Sequence, residues 1–121
     1  MSEVITIVED EGVQIIHFQL DQIDMFNIIE VLDETNEQVA DDACCLLDLE
    51  RVRFIDSSGL GGIIKLNKRL KGGGGRLGIC NLNNHVESLF RLTQTIKLLD
   101  CYEDVPAGLK DLASSGDDPQ S

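Results

Sequence analysis

Basic side chains are scarce in this sequence. Ten lysines and arginines stand against 22 acids in 121 residues, a net charge of −12. A polyanion is a poor partner for such a chain, so no nucleic-acid binding is expected. No apolar run reaches the length of a bilayer span, so no membrane insertion is expected. The N-terminus has no basic stretch followed by an apolar core, so no export signal is expected and the cytoplasm is the expected location. Four cysteines occur, Cys44, Cys45, Cys80 and Cys101, and no two form a C-x-x-C pair. Neither His17 nor His85 stands at a metal-ligand spacing from them. The cysteines are expected to be reduced, small buried hydrophobes, and no metal or other cofactor is expected.

The marks of an enzyme are equally thin. Residues Ile55 to Gly59 do not fit the G-x-S-x-G elbow of a serine hydrolase, and His85 is the one late histidine that could serve as a base. The four glycines Gly72 to Gly75 lack the Lys-Ser/Thr ending of a nucleotide loop and follow a helical pattern. They read as a helix end and turn. A receiver domain would carry an acidic pair after its first strand. Glu9 and Asp10 are so placed, but the next strand begins too soon for that order. No catalytic residue is assigned.

The chain does have the means to build one domain. Its length and 42% hydrophobic content suit a single core. Glu3 to Val8 and Val13 to Leu20 read as strands joined by the polar turn Glu9–Gly12, a hairpin. His17 falls mid-strand and is expected to be a packed or hydrogen-bonded core histidine. Asp21 to Asp24 is a loop, with Asp24 a candidate helix cap. Phe26, Ile29, Val31, Leu32 and Val39 mark an amphipathic helix to about Ala40. Cys44 to Glu50 is a buried strand. After a glycine-bearing loop, Leu60, Ile63, Ile64, Leu66 and Leu70 recur at helical spacing. Arg76 to Cys80 is a further strand, Asn81 to Asn84 a turn, and Val86 to Leu92 a short helix. Ile96 to Leu99 is a brief strand or extended link, Tyr102 to Leu112 a last helix, and Ala113 to Ser121 a polar, acidic tail. The expected domain is therefore 1–113, followed by a disordered tail over 114–121. Strands alternating with helices imply an α/β fold, with a mixed, mostly parallel sheet, an antiparallel N-terminal hairpin and about four covering helices.

The centre of the pattern is Arg53-Phe-Ile-Asp56-Ser57-Ser58-Gly59-Leu60-Gly61-Gly62. With the strand Cys44 to Glu50 before it and the helical repeat from Leu60 after it, it reads as the tight loop between strand and helix. Asp56, Ser57 and Ser58 are all competent to cap, since their side-chain oxygens can accept from free N–H groups of the first turn. Gly59, Gly61 and Gly62 disfavour a helix and suggest that a phosphate or a partner's surface approaches the backbone there. Ser57 has no neighbouring base, so it is suited to receive a phosphoryl group rather than to attack a substrate. A phosphate there adds about −1.5 to −2 charge at a helix start, where the backbone tolerates it. The plainer alternative is a well-capped helix start with glycines for packing.

With this element order around it, the loop Phe54 to Gly61 resembles the Asp-Ser-Ser/Thr-Gly-Leu-Gly loop of the STAS family. The chain looks like one of its single-domain anti-sigma factor antagonists from about Val4 to Leu112. Gly78-Ile-Cys80 and Val86-Glu-Ser-Leu-Phe-Arg-Leu92 are similar to family segments too. The resemblance implies phosphorylation of Ser57, with Ser58 second, by an anti-sigma factor that is a serine protein kinase, and reversal by a PPM-type serine phosphatase. It implies that the unmodified form binds the anti-sigma factor and releases a sigma factor. Asp24, Asp56, Ser58, Gly59, Leu60 and Gly61 are the implied partner-binding residues. One departure stands out: Gln19 to Asp24 lacks the usual glycine and is a residue or two longer. The other reading in the same family is a STAS subunit of a lipid-transport ATPase, a stress-signalling assembly, or a biofilm or secretion switch.

Overall fold

The computed structural model describes residues 4–117. Strands β1 (Ile5–Asp10) and β2 (Val13–Phe18) form the expected antiparallel hairpin. Glu11 and Gly12 both take positive φ, 54° and 81°, the turn whose twist matches that of the paired strands. Then follow β3 (Gln22–Ile23), α1 (Ile28–Gln38), β4 (Cys44–Asp48), β5 (Phe54–Ile55) and α2 (Ser57–Gly72). The chain continues through β6 (Arg76–Cys80), α3 (Asn84–Leu92), a 3-10 turn at Thr95–Lys97, β7 (Asp100–Tyr102) and α4 (Val105–Asp117).

Five strands form one sheet in the order β1-β2-β4-β6-β7, parallel from β2 onward. This is the α/β architecture expected from the sequence, with four α-helices among the described residues. Alternation along the strands sends side chains to two faces. Ile16, Phe18, Cys45, Leu47 and Ile79 join the larger core, with Ile28 and Val31 of α1, Leu60, Ile63, Leu66 and Leu70 of α2, and Val86 and Phe90 of α3. Val13, Ile15, Leu46 and Cys80 form a smaller core on the other face, closed by Leu112 of α4.

Several local expectations change. Strands β3 and β5 pair in parallel as a separate two-stranded sheet, in segments expected to be loop. Helix α1 starts at Ile28, two residues after Phe26. The Ile96 to Leu99 segment holds a 3-10 turn instead of a strand; Gln94 in the left-handed region, φ 62°, turns the chain into it. The last strand comes later, at β7, where a helix starting at Tyr102 was expected. Tyr102 lies against Gly78, where a Cβ would meet the ring at 2.8 Å. Its hydroxyl donates to Asp111 at 2.5 Å, and Arg76 bridges Asp100 and Asp111 at 2.6 and 3.2 Å. Helix α4 begins at Val105, so Pro106 falls in the first turn, where its missing N–H does no harm. It runs to Asp117, into the expected tail, whose last residues 118–121 lie outside the described part.

Cys45 and Cys80 are buried as expected, and burial pushes both thiols up to about 12. Cys44 is half-buried, and Cys101 departs from the expectation by being exposed on the edge strand β7. His17 is half-exposed, with its Nδ1 3.0 Å from the buried Asp48 carboxylate. Asp48 also accepts from Asn81 Nδ2 at 2.9 Å and Glu50 N–H at 3.1 Å, so it pins the chain leaving β4.

Candidate functional site

The chain emerges from β5 into Asp56, whose extended backbone (φ −94°, ψ −177°) is that of an N-cap. Its Oδ1 accepts from Gly59 N–H at 2.9 Å, and its carbonyl accepts the first helical bond from Leu60 N–H at 2.9 Å. Its Oδ2 accepts from Met25 N–H at 3.1 Å, and its own N–H donates to the Ile23 carbonyl at 3.2 Å. One carboxylate thus caps α2 and ties it to the loop before α1. Of the three residues competent to cap, Asp56 does so. Ser57 and Ser58 are exposed, and their hydroxyls enter no hydrogen bond found among the described residues.

The glycines divide by role. A Cβ on Gly59 would run into the Ile23 carbonyl, and one on Gly62 into the Ile28 side chain. Both therefore serve close packing inside the domain, contrary to the expectation that all three admit an outside group. Gly61 alone of the three is exposed and has nothing within 4 Å of a Cβ. Leu60 is buried in the core at 7% exposure.

Asp24 is placed beside this loop but turned inward, with 6% exposure. Its oxygens accept from Gln22 Nε2 at 2.6 Å and Phe26 N–H at 3.0 Å. Its carbonyl accepts from Asn27 and Ile28 N–H at 3.2 and 2.9 Å. It is not the N-cap of α1, which is Asn27. Asp24 shapes the Gln22–Asn27 loop, and the residues that this loop presents to solvent are its neighbours.

Those neighbours were not singled out by sequence reasoning. Met25 is 62% exposed, Phe26 88% and Ile29 66%, a run of large apolar side chains at the start of α1. Phe26 and Ile29 fit a helical spacing and were read as the buried stripe, but the buried residues of α1 are Ile28, Val31 and Thr35. On the other side of Ser57, the half-exposed Phe54 ring stacks on His85, with centroids 5.5 Å apart and planes at 24°. Asn83, the α3 cap, holds that neighbourhood by donating to the carbonyls of Val52 and Arg53 at 3.3 and 3.4 Å. Between α1 and α2 runs a groove of about 260 Å³, with Ile29 and Leu32 on one wall and Ser58, Gly61 and Lys65 on the other.

The arrangement suits recognition and modification. Two hydroxyls stand on a rigid helix start, framed by exposed apolar side chains, on a platform held by Asp56, Asp24, Gly59 and Gly62. No group of three or more His, Cys, Asp or Glu that could hold a metal occurs among the described residues. No helix among them is long and apolar enough to cross a membrane.

Comparison with known proteins places this geometry. Over 67 residues the chain is 31% identical to an anti-sigma F factor antagonist of Paenibacillus polymyxa, a match covering 55% of this chain and 57% of that relative. The chain thus spans a little over half the length of that relative. The structure of an anti-sigma-factor antagonist (STAS) domain protein from Planctomyces limnophilus superposes with a TM-score of 0.82 at 20% identity, covering 90% of this chain and 97% of that one. The murine Solute Carrier 26 family member A9 anion transporter superposes with a TM-score of 0.75 at 15% identity, covering 89% of this chain but 18% of the transporter. These two likenesses are of fold. The family model described as the STAS domain matches residues 4–107, nearly the whole described chain, and the protein therefore belongs to the STAS-domain family.

Proposed function

We propose that this protein is an anti-sigma factor antagonist, working in the cytoplasm as a binding switch and not as an enzyme. Unmodified, it binds an anti-sigma factor that is also a serine kinase, and a sigma factor is released. Phosphorylation of Ser57 ends that binding, and a PPM-type phosphatase restores it. The partner-facing residues are Ser58, Gly61 and the exposed apolar rim. Asp24, Asp56, Gly59 and Leu60 contribute by holding the surface in shape. The unit that carries this function is 1–113.

The observation that carries this reading is the exposed Ser57 hydroxyl immediately after a cap already supplied by Asp56. Because the cap is taken, Ser57 is free to be modified without loss of the helix start. Added phosphate stands at the positive end of α2, whose first turn carries no acid, so the fold tolerates it. Its effect is outward, on whatever docks beside it. Like charges brought together at an interface cost several kcal/mol, so affinity should fall on the order of 100-fold.

The test is affinity capture from the native cell with wild-type, Ser57→Ala and Ser57→Asp proteins, followed by measured binding of the captured partner. Wild type and Ser57→Ala should hold a kinase-type anti-sigma factor, and Ser57→Asp should lose it. Retention of the same partner at equal affinity by Ser57→Asp contradicts the switch. Capture of a transport ATPase or a stress-signalling assembly instead would move the output to the other STAS systems, in keeping with the fold's occurrence within an anion transporter.

A further inference from the structure

Charge is divided unevenly along the chain. Residues 1–50 contain no lysine or arginine, so all 10 bases lie at or beyond Arg51. Arg51, Arg53, Lys65, Lys68, Arg69 and Lys71 fall within one short stretch, where Asp56 is the sole acid. In a protein of net charge −12, α2 is therefore a basic island. Arg69 is engaged towards α1, donating to Asp41 Oδ1 at 2.8 Å, Asn36 Oδ1 at 3.0 Å and the Val39 carbonyl. Lys65, Lys68 and Lys71 are exposed, three residues apart, and so form one ridge along the helix.

Lys65, the first residue of that ridge, reaches the groove beside the serines. Lys65 and Ser58 line it together, with the exposed Gly61 between them on the same wall. The opposite wall is apolar, built from Ile29 and Leu32 of α1, and Phe26 is exposed in the loop just before the same helix. A basic wall facing an apolar wall, with a glycine offering no side chain, matches the way amphipathic helices lie in grooves.

We propose that the α1–α2 groove docks an amphipathic helical segment of the partner protein, with its apolar stripe against Ile29 and Leu32 and acidic side chains against Lys65 and Lys68. This deepens the switch reading and rests on it for the partner being a protein. Long polyanions are disfavoured as occupants by the net charge of −12 and by the exposed acids Glu30, Asp33 and Glu37 carried on α1 itself. The helix that fits is acidic on one edge only. Lysine-ridge attraction fixes its direction and register, and modification of Ser57 or Ser58 adds negative charge at the groove's mouth, against those acids.

The probe is a synthetic peptide of about 16 residues, with leucines at helical spacing and glutamates along one flank. It is titrated into isotopically labelled full-length protein and followed by NMR. A matching peptide with lysines replacing the glutamates, a duplex oligonucleotide and phosphatidylglycerol vesicles are the comparisons. The glutamate peptide should perturb Ile29, Ser58, Gly61 and Lys65. It should bind about tenfold more weakly to Lys65→Glu/Lys68→Glu, and the difference should shrink as salt rises. The proposal is overturned if the lysine peptide binds as well, if the shifts fall elsewhere, if no binding is seen at about 1 mM peptide, or if oligonucleotide or vesicles bind more tightly. Peptide binding in the groove that Ser57→Asp leaves unchanged supports the groove while removing the switch. Release of the captured partner by Ser57→Asp, with no peptide in the groove, overturns the groove while the switch stands.

Discussion

Along the first turns of α2, neighbouring residues face opposite ways. Asp56, Gly59 and Gly62 are committed inward: the carboxylate to Gly59 and Met25 N–H, the two glycines to the Ile23 carbonyl and the Ile28 side chain. Ser57, Ser58 and Gly61 face outward and support nothing. The same division holds in the loop before α1, where buried Asp24 is turned in and Met25 and Phe26 are turned out. A switch surface needs this separation. Residues that change state or partner must not also carry the fold, or modification would unfold the domain instead of signalling.

Substitutions can break that comparison from the inward side first. Gly59→Ala should have the largest effect, because the new methyl group meets backbone, which cannot rotate aside. Overpacking of this kind costs about 1–3 kcal/mol, read by urea unfolding. Stability equal to wild type would mean that β3 is free to move away from α2. Asp56→Ala comes next. It removes the cap of α2 and leaves Met25 N–H without its acceptor, for a loss of about 0.5–2 kcal/mol. Ser58→Ala in the same assay should be neutral; if it were the more destabilising of the two, the cap would belong to Ser58.

The outward side sharpens the comparison with small effects. Gly61→Ala should be neutral or stabilising by up to about 1 kcal/mol, since a methyl meets open space and alanine favours the helix. The same change should weaken partner binding, because it fills part of the groove wall. A stability gain with unaltered binding would remove Gly61 from the docking surface.

How much of this was legible beforehand depended on the range of the signal. The helix start at Asp56 was readable, because capping residues followed by an apolar helical repeat are local marks. The β3–β5 pair was not, because two-residue strands show no alternation and their pairing is set by tertiary contact. The rim was misread for a specific reason: Phe26 and Ile29 recur at helical spacing, and apolar residues so placed are expected to be buried. The helix actually begins at Ile28, and its buried stripe passes through Ile28, Val31 and Thr35. Asp24 failed in the opposite sense. An acid in a loop is expected to face solvent, yet Gln22 Nε2 and Phe26 N–H satisfy it well enough to bury it. Of the three glycines, sequence identified the need for close approach at Gly59 and Gly62 but not what approaches, which is the domain's own β3 and α1.

The separation of structure from signal is tested most directly at Ser57. Wild type and Ser57→Ala are each recovered from the native cell, their intact masses measured, the phosphate mapped by peptide fragmentation, and their urea unfolding compared. A fraction of wild type should carry a single phosphate, on Ser57; Ser57→Ala should carry none and unfold within about 0.5 kcal/mol of wild type. A phosphate mapped outside Ser57, or a Ser57→Ala protein that is destabilised yet still phosphorylated, would contradict it.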